Sequence, residues 1–270
     1  GEIQNNLFYT DDVGLFSATR RLSLQNDPTQ PVVDRTGQGS DMVYEPSIDL
    51  RRTFESRWGR TELSVQAQGF IFAENSAFNH GSYRLRLTQD IAPESVVRLY
   101  YFYGPSLFVG KNDERRSGNE LLVDERVTTH FWSTHLERRV ASNVTVRLLG
   151  RYGLRQYNQA FSERDTRFWT VGPHIEWSIT PQVQLLVGYH YERGLAEGRR
   201  QPQAHDDISY VNHYASAELV VQAMERVSVI VGLDYERNNF TSGLENDVHR
   251  GAHENIYQGD LEFQYRLTDA

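Results

Sequence analysis

Hydrophobic and polar residues alternate one for one through most of this chain. From 227 to 240, Val227, Val229, Val231, Leu233 and Tyr235 share one face, and Ser228, Gly232, Asp234 and Glu236 take the other. From 183 to 193, Val183, Leu185, Val187, Tyr189 and Tyr191 oppose Gln184, Gly188, His190 and Glu192. A period of two is the signature of a strand with one apolar and one polar face. No apolar period of 3.6 residues persists, so the chain reads as all-β. The same pattern predicts strands near 44–57, 61–74, 82–90, 95–104, 127–139, 144–157, 167–179, 208–221 and 256–266.

The segments between these strands alternate in length. Short ones fall at 58–60, 91–94, 140–143, 180–182 and 222–226. Long polar ones fall at 75–81, 105–126, 158–166, 194–207 and 241–255. Tight turns at one end and long loops at the other are the plan of a transmembrane antiparallel up-and-down β-barrel. A soluble sandwich has no such regular alternation. With the short turns periplasmic, the strand at 44–57 runs downward and needs a partner upstream. The weakly alternating stretch 14–24 is the best candidate, leaving 1–13 as an amino-terminal periplasmic segment and 14–270 as one barrel domain. The count is then about twelve strands, within a range of about ten to fourteen, and an even number keeps both termini periplasmic. Residues 267–270, Leu-Thr-Asp-Ala, look like the short turn 179–182, Ile-Thr-Pro-Gln, so the expectation is a barrel truncated at its carboxyl end.

Composition narrows this reading without changing it. Hydrophobic residues make up 39% and charged ones 24%, which excludes a disordered chain. A net charge of −8 and a pI of about 5.6 argue against nucleic-acid binding. No uncharged apolar run is long enough for a membrane helix. The mean hydropathy of −0.60 is still compatible with a membrane barrel, whose apolar residues are hidden in alternation. With Cys 0, disulfides, thiolate metal sites and cysteine nucleophiles drop out. The basic residues are nearly all Arg, Lys111 being the one lysine. The start at Gly1, without a leader, fits a removed signal peptide and, equally, a trimmed amino terminus.

Residues 44–266 are similar in plan to Gram-negative outer-membrane β-barrels of the porin-like kind. The likeness lies in the alternating faces, the short and long connections in turn, and aromatics near strand ends such as Tyr44, Trp58, Tyr103, Tyr152, Trp169, Trp177, Tyr235 and Tyr265. No subfamily motif accompanies it. The aromatics fit an interfacial girdle, although Tyr and Trp pack well in any sheet. The resemblance implies a bacterial outer-membrane location, contact with membrane lipid and lipopolysaccharide, and no cofactor.

In such a barrel the polar face points to the lumen. In the first half that face carries Arg51, Arg84, Arg86, Arg98, Arg147, Arg151 and Arg155, with Asp49, Glu62 and Glu137. In the second half it carries Glu176, Glu192, Glu218, Asp234, Glu236, Asp260 and Glu262 and no Arg. Two readings follow. A basic wall facing an acidic one sorts solutes in a water-filled constriction, or the two walls pair across the lumen and fill it. Phe70, Phe72, Tyr100, Phe102, Leu149, Tyr210 and Tyr214 also point inward and narrow it. The loop 105–126 either folds inward as a constriction or covers the mouth.

Chemistry has weaker signals. His205, Asp206 and Asp207 in one loop and Asp247, His249, His253 and Glu254 in the next could meet at the rim, where a carboxylate–imidazole group activates water, as in omptin-like proteases, or holds a divalent cation. Polar loops routinely contain such residues, so no catalytic residue and no metal site is assigned. A Ser–His hydrolase fails on parity, because His213 faces outward while Ser216 faces inward. The expected function is therefore non-enzymatic: a porin-like channel for passive diffusion of small polar or charged solutes. The alternative is a scaffold barrel with a plugged lumen that anchors a periplasmic or surface complex. Expected partners are lipid, lipopolysaccharide, small solutes and either a protein partner or further copies of the chain, but no nucleic acid.

Overall fold

The structure is a computed structural model that describes residues 1–11, 40–57, 59–114, 121–201 and 206–267. Twelve strands run β1 (Glu2–Thr10), β2 (Asp41–Ser56), β3 (Gly59–Phe72), β4 (His80–Ala92), β5 (Ser95–Glu114), β6 (Leu121–Ala141), β7 (Val144–Tyr157), β8 (Thr166–Thr180), β9 (Val183–Ala196), β10 (Tyr210–Met224), β11 (Val227–Phe240) and β12 (His253–Tyr265). They form one sheet in strict sequence order, and each pairs antiparallel with the next. β1 and β12 end that order, and every residue of β12 is exposed.

Four of the short connections share one construction. Residues 93–94, 142–143, 181–182 and 225–226 close four hairpins, and one extra residue precedes each turn: Ile91, Val140, Ile179 and Ala223. A bulge at that place tightens the local right-handed twist and sets the register of everything above it. Glu94 takes a positive φ of 61° within its turn. At the opposite end, short 3-10 turns at Ser76–Phe78, Gln159–Arg164 and Glu197–Arg200 build the longer connections.

Burial runs opposite to that of a soluble protein. Leu233 is 62% exposed, and Leu85, Leu148, Trp132, Trp169 and Ile175 are also exposed. Ser64, Ser133 and Thr170 are buried. Among the described residues the buried apolar cluster is one small group, Phe78 and Phe108 with Phe72 against it. An outer surface this apolar is stable against hydrocarbon and costly in water.

Two expectations change. The strand upstream of β2 is Glu2–Thr10, paired from Glu2↔Asp49 to Thr10↔Asp41, so residues 2–10 are part of the sheet and not a separate segment. The stretch 14–24 lies outside the described residues. The supposed loop 105–126 is mostly a hairpin extension, because β5 and β6 stay paired out to Glu114↔Leu121. Two register shifts, Gly104/Leu107 and Phe108/Gly110, break the period there and disguise it as loop. Phe108 packs edge-on against Phe78, with centroids 4.9 Å apart, which pins the extension to the neighbouring connection.

Candidate solute-facing wall and loop cluster

The polar faces of adjacent strands meet side by side, and their charges pair along the sheet. Glu137 stands opposite Arg147 in register and diagonal to Arg98. Its carboxylate accepts from Arg98 at 2.6 and 3.1 Å and from Arg147 at 2.6 and 2.9 Å. Arg86 donates to Glu62 at 3.1 Å, and Arg51 to Asp49 of its own strand at 2.9 Å. Arg155 donates to the Tyr210 hydroxyl at 2.6 Å, and that hydroxyl donates to Glu192 at 2.5 Å. The same guanidinium lies 4.3 Å from the Phe168 ring centroid.

Arg84 and Arg151 differ from the rest. The first stacks 5.9 Å over Phe102 and reaches Gln66 at 3.4 Å, and the second stacks 4.9 Å over Phe131. Among the described residues neither forms an ion pair, and the buried Nε of Arg151 has no acceptor. With Ser133 and His135 they line a cavity of about 320 Å³.

The acidic half takes neutral donors. Gln184 donates to Glu176 at 2.6 Å, Tyr214 to Asp234 at 2.6 Å, Asn212 to Glu236 at 2.5 Å, and Gln264 to Glu262 at 2.9 Å. Glu218, Glu176 and Asp234 line a second cavity of about 330 Å³ together with Arg147 and His174. The Nε2 atoms of His174 and His190 lie 2.6 Å apart. Basic and acidic residues therefore pair mainly between neighbouring strands. Arg155–Glu192, at 3.6 Å, is the ion pair that joins the two expected sets among the described residues. Alternation identified these residues, but the role of Tyr210 as a bridge, rather than as filling, had no signal in the sequence.

A separate cluster lies among the long connections. Arg164 donates to Asp206 at 2.6 Å and to both oxygens of Glu125 at 2.7 Å, while its guanidinium covers the Phe161 ring at 5.1 Å. Asp247 accepts from the Ser242 hydroxyl at 2.6 Å and from the amides of Asp207 and His249 at 2.8 and 2.9 Å. His249 Nδ1 stands 2.9 Å from Asp206 Oδ1 and 2.9 Å from Asp247 Oδ1. Burial would raise the Asp206 carboxyl, but the neighbouring His249 ring and Arg164 guanidinium hold it below the usual range. Burial would likewise raise the Asp247 carboxyl, but the Ser242 hydroxyl and the amides of His249 and Asp207 hold it below the usual range. Both carboxyls are thus ionised near neutral pH.

Of the loop residues singled out in the sequence, Asp206, Asp207, Asp247 and His249 come together. His253 and Glu254 stand in exposed β12, away from the cluster, and His205 lies outside the described residues. Arg164 and Glu125 were not foreseen, because nothing local marks residues so distant in the chain as partners. His213 Nδ1 lies 2.7 Å from the Tyr189 hydroxyl.

No family model and no curated protein matches the chain. Solved structures do. Outer-membrane expressed OmpT of Vibrio cholerae is 7% identical with a TM-score of 0.51, over 83% of this chain and 79% of that one. In-vitro folded OmpT, an outer membrane protein of Vibrio cholerae, is 10% identical with a TM-score of 0.50, over 97% and 76%. A NanC porin structure is 9% identical with a TM-score of 0.45, over 98% and 99%. Identity this low speaks for architecture and for nothing finer. Joined to the twelve antiparallel strands in sequence order and the exposed apolar face, the OmpT likeness gives this chain the fold of an outer-membrane β-barrel.

Proposed function

We propose that the chain is an outer-membrane pore through which small polar or charged solutes diffuse passively, with the polar face of the sheet lining the lumen. In that orientation the two-residue turns are periplasmic, as are the start of β1 and the end of β12, and the 3-10 turns lie outside. The observation that carries the reading is the direction of pairing: ion pairs run along the wall and leave open cavities beside Arg84 and Arg151. A plugged lumen would call for pairing from wall to wall. Two cations that form no ion pair favour anions over cations.

Ion current across a planar bilayer tests this. A unit charge about 5 Å from a passing ion contributes about 0.8 kcal/mol in water, reduced to about 0.5 by 0.1 M salt. Neutralising both residues, Arg84→Gln with Arg151→Gln, should lower anion permeability about fivefold and raise cation permeability by a similar factor, an anion-to-cation ratio about thirtyfold lower. A chain that inserts but carries no current would support the scaffold alternative and overturn this reading.

A further inference from the structure

We propose that Asp206, Asp247 and His249 form a binding site for one divalent cation of the Zn²⁺ or Mn²⁺ class, which staples two of the long connections together. The site is independent of conduction.

Three observations carry it. One ligand atom from each residue lies within 4.8 Å of the others. Asp206 and Asp247 are only 2% and 7% exposed. Second, one Nδ1 faces two carboxylate oxygens, yet a ring nitrogen carries at most one proton. With the Nδ1 bond made to Asp247 Oδ1, the buried Oδ1 of Asp206 has no hydrogen-bond donor. Such an atom is aimed at the place an ion would take.

Third, the buried charge does not balance. Glu125, Asp206, Asp207 and Asp247 are all buried, and among the described residues Arg164 is the guanidinium that contacts them. Its two carboxylate partners already share its charge. Uncompensated carboxylates away from water are costly unless they are paired or coordinate a metal.

The donor set selects the ion. Two carboxylates and one imidazole suit a cation of intermediate hardness, whereas Ca²⁺ and Mg²⁺ take oxygen ligands. Bonds of about 2.0–2.1 Å at tetrahedral angles place donors about 3.3 Å apart. The 2.9 Å spacings would therefore open by a few tenths of an ångström. The Nδ1 proton leaves or moves to Nε2, and water fills the remaining position. Asp206 precedes β10 and His249 precedes β12, so the ion joins residues 206–209 to 241–252, with Arg164 tying in the turn before β8.

The test uses the full chain folded in detergent, stripped with EDTA and titrated calorimetrically with Zn²⁺ and with Mn²⁺. The wild type should bind one ion per chain, and Asp247→Asn with His249→Gln should weaken binding at least about tenfold. No binding by the wild type, or equal binding by wild type and variant, overturns the site. Because Asp247 also organises backbone amides, His249→Gln alone gives a second measure that keeps them. Bound Zn²⁺ should slow trypsin cleavage after the exposed Arg250 several-fold in the wild type and leave the His249→Gln rate unchanged. Equal slowing in both contradicts the proposal.

Discussion

Glu137→Gln removes one charge and leaves two behind. The carboxylate takes four hydrogen bonds, two from Arg98 and two from Arg147. The Glu137 side chain is 18% exposed, against 25% for Arg98 and 38% for Arg147. Exposed ion pairs contribute about 0–1 kcal/mol. Loss of one partner from a buried pair costs about 3–5 kcal/mol. Glu137 lies nearer the buried limit and strands two guanidiniums, while Gln keeps one acceptor oxygen, so the expected cost is about 2–3 kcal/mol. Asp49→Asn is the control. Its partner Arg51 is 56% exposed, which puts the cost below about 1 kcal/mol. Both are read from urea unfolding of the folded chain in lipid, followed by tryptophan fluorescence. If the two substitutions cost the same, burial does not set the strength of these pairs and the reasoning fails. The double variant Arg98→Gln with Glu137→Gln should show a coupling of at least about 1 kcal/mol in a mutant cycle.

Three further outcomes follow from packing and orientation. Gly172→Ala puts a Cβ against the Tyr189 carbonyl oxygen and the His190 ring and should cost about 1–3 kcal/mol, whereas Gly150→Ala meets nothing and should be close to neutral in the same assay. Leu233→Arg, on the exposed apolar face, should cost about 2–4 kcal/mol in lipid; a cost below about 0.5, normal for a water-facing position, would place Leu233 outside the bilayer. Arg164→Gln leaves Glu125 and Asp206 buried without their guanidinium and should cost about 3–5 kcal/mol locally. Limited proteolysis at residues 197–201 and 206–209 should therefore speed up, and unchanged protection would show that Arg164 does not hold these connections.

The strands were legible wherever lipid-facing and water-facing positions alternate, which covers β2 to β12 in outline. β1 was not, because Glu-Ile-Gln-Asn-Asn-Leu-Phe-Tyr-Thr sets Asn5 on the face of Ile3 and Leu7 and blurs the period. The outer half of β5 was hidden by Gly104, Gly110 and the two register shifts. Parity alone placed the Arg and carboxylate residues on one face. Which of them pair was beyond it: Glu137 meets Arg98 diagonally and Arg147 directly only because of the register, and the one-residue bulges beside the turns help set that register. In the loops, the acidic and histidine residues stood out by composition. Arg164, which links Glu125 to Asp206, acts through contacts that only the folded connections create.

The central claim is that apolar side chains face hydrocarbon and charged ones face an aqueous interior. Nitroxide labels placed singly at residues 229 to 236 of β11 in lipid vesicles measure this directly, through collision with dissolved oxygen and with a water-soluble nickel chelate. The account predicts a strict period of two, with Val229, Val231, Leu233 and Tyr235 accessible to oxygen and Ile230, Asp234 and Glu236 accessible to nickel. A reversed phase, or equal nickel access along the whole strand, would contradict it.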